Sequence, residues 1–304
     1  MGGHTQALRL LDTRRLRGIY LAFQGDVAAF GQGHETDPAL VELVAEPFES
    51  LADIHDRLEA LEGRLRAADD RRAVFLTVYR RMTAAVREAI EAGEFRDAAW
   101  MRRYTVTFAD YYRRAFLAFE RGDRKRVPDP WRVAFGAAVE GSGLVAQDAF
   151  LGINAHINYD LALTLRDVGI DPDRSAKRAD HGKIDTVLGE LIDAQQAALA
   201  ELYAPGLSTV DSSLSRFDEA LSLVSMTEGR AQAWRVATVL TDVGSRAVRR
   251  YARWVLRGTA TGGAAFVRSP PVDPALVAAL RRVERDQFSL ADALDLLADR
   301  MDAV

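Results

Sequence analysis

The chain has no cysteine among its 304 residues. Disulfides, thiolate zinc sites, iron–sulfur clusters and cysteine nucleophiles are therefore excluded. Lysine is almost absent too: Lys125, Lys177 and Lys183 are the whole set, so arginine carries nearly all the positive charge. The formal net charge is -4. A nucleic-acid footprint is usually basic, so no nucleic-acid partner is expected. The opening residues, Met1-Gly-Gly-His-Thr-Gln, lack a basic segment followed by an apolar run, which predicts no signal peptide and a cytoplasmic location. The least charged stretch is slightly short for a bilayer and carries Asn, His and Asp, so no membrane span is expected. Alternating period-2 runs, Asn-Gly or Asp-Gly hairpins and solenoid-length repeats are also missing.

Several motifs that carry chemistry are absent as well. There is no Gly-x-x-x-x-Gly-Lys phosphate loop, no Gly-x-Ser-x-Gly elbow, no His-Glu-x-x-His and no Glu-x-x-His pair of the di-iron bundles. Asp69-Asp70 is followed by two arginines and reads as a helix cap, not as an Asp-rich metal motif.

What remains is ordinary globular composition, 48% hydrophobic and 28% charged, arranged with helical periodicity. Helices are predicted over Leu8 to Phe30, from Ser50 as N-cap with Asp53 at N3, after Asp69 or Asp70, and from Phe95 to Arg121. Others are predicted over Trp131 to Val139, Asp180 to Ala204, Ser212 to Ser225, Glu228 to Arg257, Pro274 to Phe288 and Leu290 to Met301. The expected fold is all-α, a helical bundle wrapped around a central buried helix at about 144–168. One bundle domain is expected over 1–257. Gly262-Gly263 and Pro270-Pro271 mark 258–271 as a flexible loop, and 272–304 as a C-terminal helical segment packed on the same domain.

The central helix carries the candidate site. From Ala149 to Leu165 the only formal charge is Asp160. Phe150, Ile153, Ile157, Leu161 and Val168 form one stripe. His156 and Asp160 are i, i+4 neighbours on one flank, so they can bind one metal or hydrogen-bond to each other. Further metal ligands must come from other helices, and Asp110, Asp180, His181, Asp185 and Asp242 are the donors to consider. Of these, Asp110 and Asp185 are chosen as candidate ligands beside His156 and Asp160. The bland alternative is a structural ion pair. Asn154 and Asn158 lie on the opposite flank with Gln147. They orient a ligand or cap backbone carbonyls. Tyr111-Tyr112, Tyr79 and Trp131 line an apolar pocket or fill plain core.

The run Leu151-Gly-Ile-Asn-Ala-His-Ile-Asn-Tyr-Asp-Leu161 resembles the signature of a bacterial and archaeal family whose function is not established. Phe75-x-x-x-Tyr79-x-x-Met82-Thr83, Phe95-x-Asp97, Phe108-Ala-x-x-Tyr111 and Pro130-Trp131 fit the same resemblance, which spans roughly Ser50 to Leu199. More distantly, Leu-Gly-x-x-x-His-x-x-x-Asp is similar to the ligand helix of the all-α zinc-dependent phospholipase C and P1-type nuclease group. That likeness implies metal binding by His156 and Asp160. The group also has a second histidine shortly after the Asp, and Leu161 to Arg166 contains none.

These readings give two expectations. The first is a metal-dependent hydrolase of an ester or phosphoester, with His156 and Asp160 as catalytic and metal residues and one divalent metal, zinc or another, as cofactor. Without a metal, His156 acts as a general base held by Asp160. The second is a non-catalytic helical module that takes a small apolar ligand or a partner helix. Asn154, Asn158 and Tyr111 are the candidate ligand contacts. Oligomeric state leaves no mark in the sequence.

Overall fold

The computed structural model describes residues 7, 10–207, 226–270 and 273–304. All regular structure among them is helical. In chain order the helices are α1 (Thr13–Gln24), α2 (Pro38–Val44), α3 (Leu51–Ala67), α4 (Ala73–Glu91), α5 (Ala98–Glu120) and α6 (Asp129–Val139). The central helix follows as α7 (Val145–Ala155), a π turn (His156–Asp160) and α8 (Leu161–Val168). Then come α9 (Arg174–Val187), α10 (Gly189–Leu207), α11 (Met226–Asp242), α12 (Arg246–Arg268), α13 (Pro274–Gln287) and α14 (Leu290–Asp302).

Local chemistry sets the helix ends. Ser50 Oγ accepts from the Asp53 N–H at 3.1 Å and Asp53 Oδ2 accepts from the Glu49 N–H at 3.0 Å, satisfying donors that a helix start leaves open. Asp97 caps α5 through the Trp100 N–H at 2.8 Å. Gly93 and Gly169 follow α4 and α8 with φ of 74° and 75°, a conformation that costs other residues more.

Every residue of α7 is buried. Helices α4, α6 and α12 pack on α7, helices α5 and α11 on α8, and α5, α11 and α12 on the π turn. A helix apolar on all sides needs neighbours on all sides, and the bundle supplies them. Close approach is built into the sequence: a Cβ on Gly152 would overlap the Phe75 ring, so α4 lies against α7 at that glycine. The C-terminal helices α13 and α14 pack on α10, and α14 also on α4.

Several predicted elements differ from the structure. Of the predicted loop 258–271, residues 258–268 are helical: α12 runs through Gly262-Gly263 to Arg268. A Cβ on Gly262 would overlap the Gly18 carbonyl, and one on Gly258 would come within 2.8 Å of Ile19 Cγ1. These glycines let α1 lie directly on α12; they do not loosen the chain. Glu228 to Arg257 is not one helix, because the backbone breaks after Asp242 and restarts at Ser245, whose Oγ accepts from Val248 N–H. Asp180 to Ala204 belongs to two helices that meet at Leu188. The first predicted helix is shorter: α1 ends at Gln24 and a single 3-10 turn, Val27–Ala29, follows. The helix predicted over Ser212 to Ser225 lies outside the described residues.

Candidate functional site

The π turn puts His156 and Asp160 side by side in the interior, 2% and 0% exposed. His156 Nδ1 and Asp160 Oδ2 are 3.0 Å apart. The same oxygen accepts from the Trp131 indole N–H at 2.7 Å. Trp131 comes from α6, whose start is set by Pro130 in the first turn. Asp160 Oδ2 therefore receives two donors from two elements, and it holds the imidazole in one orientation.

Aromatic rings wall the imidazole. Phe108 of α5 stacks on it at 3.6 Å between centroids and 7° between planes. Tyr79 of α4 meets it edge-on at 4.7 Å and 87°. Phe75, Tyr112 and Trp131 complete the ring of neighbours at 6.0, 6.3 and 5.8 Å. In such surroundings a charge is expensive. Burial holds the His156 pKa below the ordinary histidine value, against the pull of Asp160. Burial likewise raises that of Asp160, against His156 and Trp131.

Two atoms of the pair have no partner among the described residues: His156 Nε2 and Asp160 Oδ1. Such orphans are rare in folded proteins and ask for an explanation. With Nδ1–H donating to Asp160, the neutral imidazole carries its lone pair on Nε2. His156 also lines a cavity of about 60 Å³. The rest of that wall is mostly apolar and includes Tyr79, Met82, Phe108, Ile157 and Leu188. Two waters take up roughly this volume in the liquid.

The other predicted metal donors are held elsewhere. Asp110 pairs with Arg113, and its Oδ2 lies 3.1 Å from Arg114 Nε. Asp185 accepts from Arg230 Nε at 2.7 Å. Asp180 accepts from the backbone N–H groups of Arg96 and Asp97 at 2.9 and 2.8 Å. His181 is engaged on both nitrogens, by the Tyr104 hydroxyl at 3.0 Å and the Arg230 carbonyl at 3.1 Å. Asp242 pairs with Arg174. Among the described residues no group of three or more His, Asp or Glu could hold a metal ion. The expected ligand set of His156, Asp160, Asp110 and Asp185 is thus not assembled, because an arginine neutralises each of the last two.

Tyr111 too is held elsewhere. Its hydroxyl donates to Asp167 Oδ2 at 2.6 Å and Arg114 lies over its ring. Of the two adjacent tyrosines it is Tyr112, one helical position further on, that faces His156 beside Tyr79, 1% exposed and with no partner for its hydroxyl among the described residues. Asn154 and Asn158 do share a flank. Asn154 Nδ2 donates to the Ala260 carbonyl at 2.8 Å, and Asn158 Nδ2 to Asn154 Oδ1 at 3.1 Å. Gln147 lies at the start of the same helix, where its Nε2 donates to Val267 O at 2.7 Å.

One buried network escaped sequence reasoning. Asp148 accepts from Arg71 Nε at 2.6 Å, and Arg71 also lies 3.6 Å from Glu284. Glu284 accepts from the Val145 N–H at 2.6 Å and from the Tyr203 hydroxyl. The available signal was Asp148 itself, an acid at the head of an apolar run. Its partners come from α10, α13 and the turn before α4, distances that periodicity does not report.

No curated protein and no protein of solved structure matches the chain. The chain belongs to DUF5995, a family of unknown function, which matches it over residues 51–270. That span contains the π turn and every ring around His156.

Proposed function

We propose that this DUF5995 protein takes a small, mainly apolar molecule into the cavity beside the π turn, and that His156 Nε2 accepts a hydrogen bond or a proton from it. The observation that carries this reading is the unpartnered Nε2 of an imidazole fixed by a carboxylate, in the wall of an apolar cavity. A nitrogen so placed is a strong acceptor for one donor group on an otherwise apolar guest. If the guest is an ester with a water beside it, the same nitrogen acts as general base, and Asp160 stabilises the imidazolium that forms. This version of a hydrolase needs no metal. π turns recur at functional sites, which is further support.

A carboxylate that orients an imidazole is also how metal-binding histidines are held. A metal here would take Nε2 of His156. Asp160 would orient that ligand instead of joining it, because it sits on Nδ1, the other nitrogen of the ring. Two measurements separate the versions. The first is elemental analysis of the purified protein, expected to find less than stoichiometric metal. The second follows the His156 ring nitrogens by 15N NMR while 1-propanol is added, since a molecule of this size suits the cavity. The Nε2 resonance is expected to move. An unmoved resonance sinks the proposal, and stoichiometric metal lost in His156→Ala replaces it with the metal-dependent hydrolase.

A further inference from the structure

On the other side of the central helix lies a larger cavity, of about 180 Å³. Four elements line it: α1 with Arg15 and Arg17, α11 with Glu228, α12, and the central helix, which contributes Asn154 and Asn158. A buried cavity near 150 Å³ is enough for benzene, so this one suits a ring with one substituent. It is separate from the cavity beside His156 and owes nothing to the function proposed above.

Glycine backbone lies directly against both amides. Gly229 of α11 faces Asn158, and a Cβ there would come within 2.5 Å of Asn158 Oδ1. Gly263 of α12 faces Asn154, and a Cβ there would overlap Asn154 Oδ1. Asn154 spends both ends of its amide, on the Ala260 carbonyl and on Asn158. It therefore acts as a fixed support for Asn158. Asn158 donates to Asn154, and its Oδ1 accepts no hydrogen bond among the described residues. Gln232 Oε1 accepts from Arg235 at 3.0 Å, while Gln232 Nε2 donates to none of them. Beside its charged residues, where Arg15 lies 4.0 Å from Glu228, the cavity wall thus offers an uncharged amide acceptor and an uncharged amide donor. Leu256 and Phe266 supply an apolar side.

We infer that this cavity binds a small neutral molecule bearing a carboxamide-type edge on an apolar ring, with its N–H donating to Asn158 Oδ1 and its carbonyl accepting from Gln232 Nε2. An acceptor and a donor presented together are matched by a group that has both, as amides and the edges of nucleobases do. A bare carboxylate has no donor for Asn158, but Arg15 and Arg17 line the same cavity together with Glu228, so benzoate is the comparison that decides between a neutral and an anionic guest. An alkylbenzene leaves both polar groups unmet.

The test is titration of the full chain with benzamide, benzoate and ethylbenzene, followed by protein NMR. Benzamide has few heavy atoms, so a dissociation constant of about 1 mM is expected. Benzoate and ethylbenzene are expected to bind about tenfold more weakly or worse. Asn158→Leu and, independently, Gln232→Leu should each weaken benzamide about tenfold, while His156→Gln leaves it unchanged. Gln232 is partly exposed and tolerates substitution should Asn158→Leu fail to fold. The inference is overturned if benzamide does not bind at about 10 mM, if benzoate binds as well, or if the Gln232→Leu variant binds benzamide like the wild type. Benzamide binding abolished by His156→Gln would move the guest to the other cavity and likewise overturn it. Because 1-propanol reports on His156 and benzamide on Asn158, either idea can fail alone.

Discussion

Asp160→Ala is the most informative single substitution. Among the described residues Asp160 Oδ2 is the only hydrogen-bond acceptor for the His156 Nδ1–H and for the Trp131 indole N–H, and both partners are buried. Removing the carboxylate strands two buried donors, each at a cost of about 1–3 kcal/mol. Breaking a buried pair by deleting one partner costs about 3–5 kcal/mol as a whole, so about 4 kcal/mol is expected. For a chain of this size each kcal/mol moves the melting temperature by roughly 2–4 °C, which gives a fall on the order of 10 °C. Asp160→Asn keeps one carbonyl acceptor and should fall between Ala and wild type. Trp131→Phe removes a single donor and keeps most of the ring packing. In a double-mutant cycle with Asp160→Ala it should show a coupling of about 1 kcal/mol or more. Urea unfolding followed by circular dichroism reads all five stabilities. An Asp160→Ala variant within about 1 kcal/mol of wild type would refute the reasoning, since no stranded donor could then be buried.

The other predictions use the same measurements. Gly262→Ala drives a methyl into the Gly18 carbonyl and should cost about 1–3 kcal/mol or more. Gly63→Ala, inside α3 with nothing within 4 Å, should instead stabilise by about 0.5–1 kcal/mol. Equal effects would deny the tight α1–α12 contact. Burial pushes the Asp148 pKa up from 3.8 to about 6 despite Arg71. Its contribution to stability is therefore full below about pH 4 and is lost as pH rises through about 6. The stability difference between wild type and Asp148→Asn should change across that window, and a constant difference contradicts it. His156 has the opposite sign: its pKa is lowered, so its contribution is present above the ordinary histidine value and lost as pH falls. 15N NMR should find it as the neutral Nδ1–H tautomer at pH 7, and an Nε2–H tautomer would contradict the proposed acceptor.

Much of the bundle could be read from apolar spacing. The stripes on α3, α4 and α5, the cap at Ser50 and the buried central helix all follow from periodicity and composition. The His156–Asp160 contact followed from i, i+4 geometry alone. The misreadings have a common cause, which is that contacts between distant segments leave no local trace. A glycine inside a helix costs about 1 kcal/mol, so Gly262-Gly263 looks like a loop unless Gly18 is known to press against it. Asp110 and Asp185 look like spare ligands until Arg113 and Arg230 are seen to hold them. Tyr111 and Tyr112 are adjacent in sequence but about 100° apart around a helix, and only the packing shows which one points inward. The breaks at Leu188 and after Asp242 fall within apolar runs whose spacing continues past them. Trp131 was a plausible pocket residue, but its hydrogen bond to Asp160 required the position of α6.

Whether the buried trio exists for stability or for chemistry can be decided by removing all of it at once. A buried ion pair broken on one side is harmful, whereas one replaced as a unit by well-packed apolar residues is often neutral or stabilising by about 1–4 kcal/mol. The surroundings of His156 are aromatic and aliphatic, so apolar replacements find suitable neighbours. The triple variant His156→Leu, Asp160→Leu, Trp131→Phe leaves no donor or acceptor of the trio stranded. It should be at least as stable as wild type in urea, although Asp160→Ala alone is strongly destabilised, and it should no longer respond to 1-propanol. That outcome means the chain gives up stability to keep an imidazole and a carboxylate in its buried interior, which is reasonable only if they act on a guest. A triple variant that loses several kcal/mol, or no longer folds to one state, would instead show that the polar trio sets the register of α6 against the π turn, and the functional reading of His156 would lose its support.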